Sequence, residues 1–358
     1  MKLLHTLGAS GDGGAETYFT DLVGAFARGG FQQAAVIRPH AGREAALKAL
    51  GVETKLELFS KPFDFGTAPA INKLARGFGA KVILAWMNRA ASRTPAGPYA
   101  RIGRLGGYYK LKNYQGFDAL VGNTQDIADW MVREGWPKER AHYIPNFAAE
   151  GEGAPIPRAH FATPEGAPLL LGMGRLHESK AHDISLRALA LLPEAYLWIA
   201  GSGPDEDKLK ALADELGVSG RVRFLGWRTD APALYRSADL CVFPSRFEPL
   251  GNVVIQAWAH GLPIVAADAV GPAALIRDGE DGALVPIDNA QALADKAAAL
   301  LADPALRQSL AAAGRARVAS TFSEDAIVTH WRALVAKYGG ERCAASRAFW
   351  AGMTAPSR

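Results

Sequence analysis

Arg175 and Lys180 stand five residues apart in GMGRLHESKAHD, and Glu248 stands in SRFEPLGNVVIQAWA. Two cations at that spacing, in a loop that leads into a helix, can meet the oxygens of one diphosphate. Glu248 falls in a turn between the apolar run 240–243, which reads as a buried parallel strand, and an apolar-periodic stretch from Gly251 that reads as a helix. Pro249 constrains that turn and Gly251 lets the backbone come close to a ligand, so the amides near Asn252 and Val253 are expected to form an anion site at a helix N-terminus. A carboxylate is a poor neighbour for an anion unless it accepts hydrogen bonds from hydroxyls attached to it, and a sugar on a diphosphate has that shape. Gln256, eight residues beyond Glu248, lies about one and a half turns into the helix at ~3.6 residues per turn and is placed facing the same crevice. Taken alone, the stretch fits equally well a capped turn before a core helix with Glu248 solvated.

The elements that must position these groups alternate along the chain. Strand-like segments at 3–7, 34–37, 82–86, 119–121 and 142–144, with helical segments at 16–28, 43–50 and 126–134, make one doubly wound α/β domain. A Gly-, Pro- and Ala-rich stretch at 150–168 reads as a linker, and strands at 169–171, 196–199, 222–225, 240–243 and 263–266 make a second. The chain is therefore divided into a first α/β domain over 1–155, a second over 156–320, a last helical segment over 321–340 and a tail over 341–358. At 358 residues it exceeds the size of a single core, and 49% apolar residues suffice for two. No apolar run approaches the ~20 residues of a membrane span and no signal-peptide pattern follows Met1, so a cytoplasmic location is expected. Cys241 and Cys343 lack metal-ligand spacing; no metal site and no disulfide are expected.

Ligands of such sheets bind beyond the carboxyl ends of the strands. GASGDGGAET at 8–17 fails the dinucleotide fingerprint, because Glu16 occupies the third glycine position; Gly172 with Gly174 and Gly201 with Gly203 fail at His177 and Glu206. Nicotinamide and flavin chemistry are thereby disfavoured. Gly13 and Gly14 still permit a phosphate or an acceptor to approach the following helix, or they form a plain tight turn. His5 and His177 lie near candidate loops and are read as structural. Net charge is +4, yet no acidic residue lies between Asp64 and Asp118, where nine cations fall. With Trp86, Tyr99, Tyr108, Tyr109 and Tyr114 interleaved, the 73–112 stretch suits an anionic membrane surface; stacking on nucleic-acid bases is the alternative, and a solvated basic face accounts for the outermost lysines.

From Gly172 onward the chain resembles the nucleotide-binding domain of retaining GT-B glycosyltransferases, family-4 type. The matching stretches are GRL with Arg175 and Lys180, GSGP at Gly201, RVRFLGW at Arg221, ADLCVFPS, EPLG at Glu248 and GLPIVA at Gly261; GGAET at Gly13, Asn123-Thr124 and IPN at Ile144 agree more loosely. The resemblance implies two Rossmann-like domains facing a cleft, a helix crossing back to the first domain, and transfer of a hexose-type sugar from a nucleoside diphosphate sugar to a lipid-linked or cell-envelope saccharide, peripheral to the inner face of the membrane. It gives Arg175 and Lys180 the leaving diphosphate, Glu248 the donor sugar, and Gly174, Gly201, Gly203, Leu225, Pro249, Leu250, Gly251, Asn252, Val253 and Gln256 the rest of the donor. Asn88 and Arg89 stand where many relatives carry a histidine and, with Gly13 and Gly14, are assigned to the acceptor. No cofactor or metal is required, because cations and a helix N-terminus stabilise the leaving group. Gln256 replaces the family's second glutamate. Two other readings stay open: a nucleotide-sugar epimerase, and a nucleotide-sugar-binding protein without turnover.

Overall fold

The computed structural model describes residues 1–353 except 12, 61–63, 149, 150 and 152, with side chains through residue 340. Two units form: Met1–Asn146 with the helix from Glu324, and Phe147–Ser323. The boundaries expected at 155/156 and 320/321 thus lie at 146/147 and 323/324. Residues 153–168 pack into the second unit: the Arg158 guanidinium donates to both Asp239 carboxylate oxygens at 3.0 Å, and the Phe161 ring meets Trp198 edge-on at 4.9 Å.

In the first unit the chain runs β1 (Lys2–Leu7), α1 (Gly14–Arg28), β2 (Gln32–Ile37), α2 (Ala41–Ala49), β3 (Glu53–Leu56), α3 (Thr67–Phe78), β4 (Val82–Trp86), α4 (Met87–Ala91), β5 (Ala100–Leu105), β6 (Ala119–Gly122), α5 (Gln125–Arg133) and β7 (Ala141–Tyr143). The sheet is parallel throughout, in the order β3-β2-β1-β4-β5-β6-β7. Strands covered on both faces need apolar residues at every position, which is why β4, VILAW, is buried along its whole length. Strands β3 and β5 escape the sequence pattern: ETKL is a largely exposed edge, and ARIGRL carries two arginines that the fold engages at their guanidinium ends.

The second unit runs β8 (Leu169–Met173), α6 (His182–Ala190), β9 (Tyr196–Ala200), α7 (Glu206–Glu215), β10 (Val222–Gly226), α8 (Ala231–Ser237), β11 (Leu240–Phe243), α9 (Asn252–Ala259), β12 (Ile264–Ala267), α10 (Val270–Leu275), β13 (Ala283–Val285), α11 (Ala290–Ala302) and α12 (Pro304–Arg317). Its parallel sheet has the order β10-β9-β8-β11-β12-β13. In both sheets the order reverses once, between β1 and β4 and between β8 and β11. That reversal opens a crevice where successive connections leave to opposite sides.

The last helix, α13 (Glu324–Met353), belongs to the first unit and continues through part of the stretch expected to be a tail. Its buried residues Ile327, Trp331, Leu334, Val335 and Tyr338 recur at helical spacing. Trp331 meets Phe26 edge-on, Tyr338 bonds His142 at 2.8 Å, and Glu324 receives a two-pronged hydrogen bond from Arg28 at 2.6 and 2.7 Å. No helix among the described residues is long and apolar enough to cross a membrane.

Candidate active site

The loops after β8, β9 and β10 are tied together by backbone. Gly174 N–H donates to Ala200 O at 3.0 Å, Leu176 N–H to Ser202 O at 3.0 Å, Asp205 N–H to Leu176 O at 3.1 Å and Gly201 N–H to Gly226 O at 2.8 Å. This packing explains two glycines. A Cβ on Gly201 would lie 1.9 Å from Gly174 O, and one on Gly203 would lie 2.2 Å from Leu176 O. Both residues hold the Arg175 loop in place. Leu225 sits at the irregularity where β10 shifts register and packs partly buried against the core.

Arg175 is exposed on that loop, and no ion-pair partner for it occurs among the described residues. Lys180 reaches the turn after β11, across the switch point, and pairs with Glu248 Oε2. The other oxygen of Glu248, Oε1, accepts from Gly251 N–H at 3.0 Å and Leu250 N–H at 3.3 Å. Gly251 has φ 85°, a left-handed value that a side chain resists, and it turns the chain into α9. The turn is backed by α10, where Gly271 N–H donates to Glu248 O at 2.8 Å and a Cβ on Gly271 would lie 2.6 Å from the same oxygen. Glu248 was read either as a group for the donor sugar or as solvated; here its carboxylate lies on Lys180, the cation expected to meet the diphosphate, and on the Leu250 and Gly251 amides, just ahead of the Asn252 and Val253 amides expected to form the anion site. Asn252 and Val253 head the helix, both half-buried.

A clamp that sequence reasoning missed joins the two loops. Arg246 donates to both Asp183 oxygens at 2.9 and 2.7 Å, to Glu178 O at 2.9 Å and to Asp288 at 2.5 Å. The Arg246 and Phe247 amides also donate to Ser179 O, at 2.9 and 3.2 Å. The signal was the SRFE stretch itself, whose arginine has carboxylates to meet only once the chain is folded. His177 caps the turn before Lys180, its Nδ1 accepting from Ser179 N–H at 3.2 Å, so it is structural. The Gln256 side-chain oxygen accepts from Tyr235 of α8 at 3.0 Å, while Tyr235 stacks on His260 at 5.2 Å.

At the carboxyl edge of the first sheet, Gly13 starts α1, but Glu16 folds over it. A Cβ on Gly13 would lie 2.7 Å from Glu16 Oε2, so the helix's own carboxylate already stands at the glycine loop. Met87, the first residue of α4 after β4, has φ 60°, a strained value for a residue with a side chain. Beside it, Asn88 Oδ1 accepts from Asn113 at 2.6 Å, and Arg89 donates to Gly8 O at 3.3 Å. Arg43 holds the first loop through Ala9 O and Gly11 O. Of the interleaved aromatics, Trp86, Tyr99 and Tyr114 are core residues, so they present no comb for bases or lipid; Tyr108 is exposed.

His5 lies under α1. Its Nε2 faces Gln33 Oε1 at 2.9 Å, and its Nδ1 faces Trp86 Nε1 at 3.3 Å. Indole nitrogen only donates, so Nδ1 accepts and the proton sits on Nε2. Burial lowers the pKa to about 4, and the ring is neutral and structural. His182, just beyond Lys180, is likewise lowered to about 4 by burial.

The family described as Glycosyl transferases group 1 matches residues 156–317. A lipopolysaccharide core biosynthesis glycosyltransferase of Rhizobium meliloti (strain 1021), LpsE, is 37% identical over 339 residues, spanning 94% of this chain and 99% of the relative. LpsD of the same organism is 36% identical over 336 residues, spanning 91% and 96%. Among solved structures, Anabaena Alr3699/HepE in complex with UDP superimposes with a TM-score of 0.81 at 20% identity, covering 94% of this chain and all of that one. At such identity the likeness concerns the fold, the GT-B architecture.

Proposed function

This chain belongs to the glycosyl transferases group 1 family, and on that premise we propose that it moves a hexose-type sugar, with retention, from a nucleoside diphosphate sugar to a saccharide of the lipopolysaccharide core. The observation that carries this reading is the Glu248 carboxylate held by Lys180 and by the Leu250 and Gly251 amides. The donor diphosphate takes over Lys180 and the turn amides, and exposed Arg175 closes on the same charge. Glu248, displaced, accepts from hydroxyls of the donor sugar. When the bond between the anomeric carbon and the phosphate oxygen breaks, negative charge collects where these cations and the N-terminus of α9 already point. The acceptor hydroxyl attacks from the side the diphosphate leaves, and its proton passes to a phosphate oxygen. Protein cations meet the developing charge, so the reading requires no metal.

Residues of the first unit take the acceptor. In the 73–112 stretch Lys73, Arg76, Lys81, Lys110 and Lys112 are exposed, and exposed cations without carboxylates in the same stretch suit an anionic lipid surface. The full chain is to be incubated with uridine, guanosine and adenosine diphosphate sugars, with and without lipopolysaccharide extract, and free nucleoside diphosphate measured. Release that requires the extract, with an axial or equatorial anomeric proton matching the donor, supports the reading. An inverted product refutes retention. Tight donor binding without release under any condition replaces transfer by a binding function.

A further inference from the structure

Arg104, in the middle of the first sheet's carboxyl edge, is 1% exposed and bonds to no carboxylate among the described residues. One guanidinium nitrogen donates to Asn146 Oδ1, and the group lies over the Tyr18 and Trp86 rings, 4.7 Å from each centroid. Its Nε has no partner. Of the carboxylates that follow the strands on this edge, Asp126 receives Tyr108 and Arg133, and Glu16 lies at Gly13. Aromatic faces offset only part of the cost of burying a cation, and a buried charge without a counter-charge is retained chiefly where one arrives.

A second buried polar atom without a partner lies at the end of the neighbouring strand. Asn123 Oδ1 is unsatisfied, and Asn123 N–H donates to Leu105 O at 3.1 Å, which puts the residue beside the end of β5. Gly106 follows, and the nearest atoms to a Cβ placed there are Asn123 Nδ2 at 3.7 Å and Tyr109 Oη at 3.9 Å. The strand end is therefore not closed by a side chain of its own.

We propose that Arg104, with Asn123 and Tyr109, seats a phosphate or carboxylate carried by the acceptor, so that the acceptor class is an anionic saccharide. The proposal rests on the transferase reading for its place in the reaction, and its chemistry is tested separately. Inorganic phosphate is titrated by calorimetry into the full chain carrying Arg175→Ala and Lys180→Ala, which removes the donor cations, with and without Arg104→Gln. Binding weakened at least tenfold by Arg104→Gln supports the site even if no transfer is ever detected. Absence of binding, or equal binding in both proteins, overturns it.

The second arm distinguishes the two anions. Lipopolysaccharide extract is used untreated, treated with phosphatase, or with its carboxylates amidated, and the acceptor KM is measured for otherwise unmodified protein and for Arg104→Gln. One treatment should raise the KM of the former about tenfold and leave that of Arg104→Gln, already raised, unchanged, with the donor KM within twofold throughout. If neither treatment matters, or if both proteins respond alike, the assignment fails. Should Arg104→Gln not fold, Asn123→Ala and Tyr109→Phe carry the same comparison, with unaltered donor KM as the check that the second unit is intact.

Discussion

Replacing Gly203 by alanine adds one methyl group and isolates the packing of the donor loops. That Cβ would lie 2.2 Å from Leu176 O, 2.7 Å from its carbonyl carbon and 2.8 Å from its nitrogen. Ordinary contact requires more than 3 Å, so the Leu176 peptide must retreat by roughly 1 Å, a displacement that packed interiors resist. Leu176 O accepts from Asp205 N–H, and Leu176 N–H donates to Ser202 O. Losing one or both bonds costs ~0.5–1.5 kcal/mol each and the overpacking ~1–3 kcal/mol, so a total of roughly 1.5–6 kcal/mol is expected. Leu176 adjoins Arg175, so the donor KM should rise while the acceptor KM holds. Gly220→Ala is the control, because no atom lies within 4 Å of its Cβ. Urea unfolding of both variants, with donor KM for each, decides the matter. A Gly203→Ala protein within ~0.5 kcal/mol of the unsubstituted chain would show that these loops yield freely, and the reasoning would be wrong.

Glu248→Ala and Lys180→Met should each lower kcat/KM for the donor by at least ~100-fold, equivalent to about 2.7 kcal/mol of transition-state stabilisation, in the nucleotide-release assay. EDTA should leave that rate unchanged, since the proposed mechanism puts the leaving charge on protein cations. Tyr235→Phe removes the hydroxyl that bonds Gln256 and should cost ~1 kcal/mol of stability by urea titration. Acid should destabilise the fold: His5 and His182, with pKa values lowered to about 4, are neutral in the native state while their unfolded forms bind protons below about 6.5. Each contributes stability that falls by ~1.4 kcal/mol per pH unit as pH drops from 6.5 toward 4. Asp21, raised to about 6 by burial, acts oppositely between 3.8 and 6. Urea midpoints at pH 7 and pH 5 should therefore fall with acid, and imidazole resonances of both histidines should not titrate above pH 5.

Much of the architecture was legible because buried parallel strands need continuous apolar runs. β4, β11 and β12 announce themselves in that way, and the helices between them repeat at the helical period. β3, ETKL, and β13, ALV, were not legible, being a polar edge and a run of three residues. β5 was hidden by its arginines, whose bonding partners come from elsewhere in the chain.

The candidate site divides along the same line. Arg175, Lys180 and Glu248 were recognisable by type and spacing, since each lies in a short loop after a strand and local sequence determines that placement. That Lys180 meets Glu248, that Arg246 binds Asp183, and that Gln256 turns to Tyr235 depend on side chains separated by 68, 63 and 21 positions. Local pattern is silent on such pairs. The sequence by itself determined two doubly wound sheets and the residues at their carboxyl edges, through periodicity and backbone conformation. Only the tertiary structure decided which charges are paired and that Arg104 meets no carboxylate among the described residues, because these follow from which strands lie side by side, and strand order is a property of the folded chain.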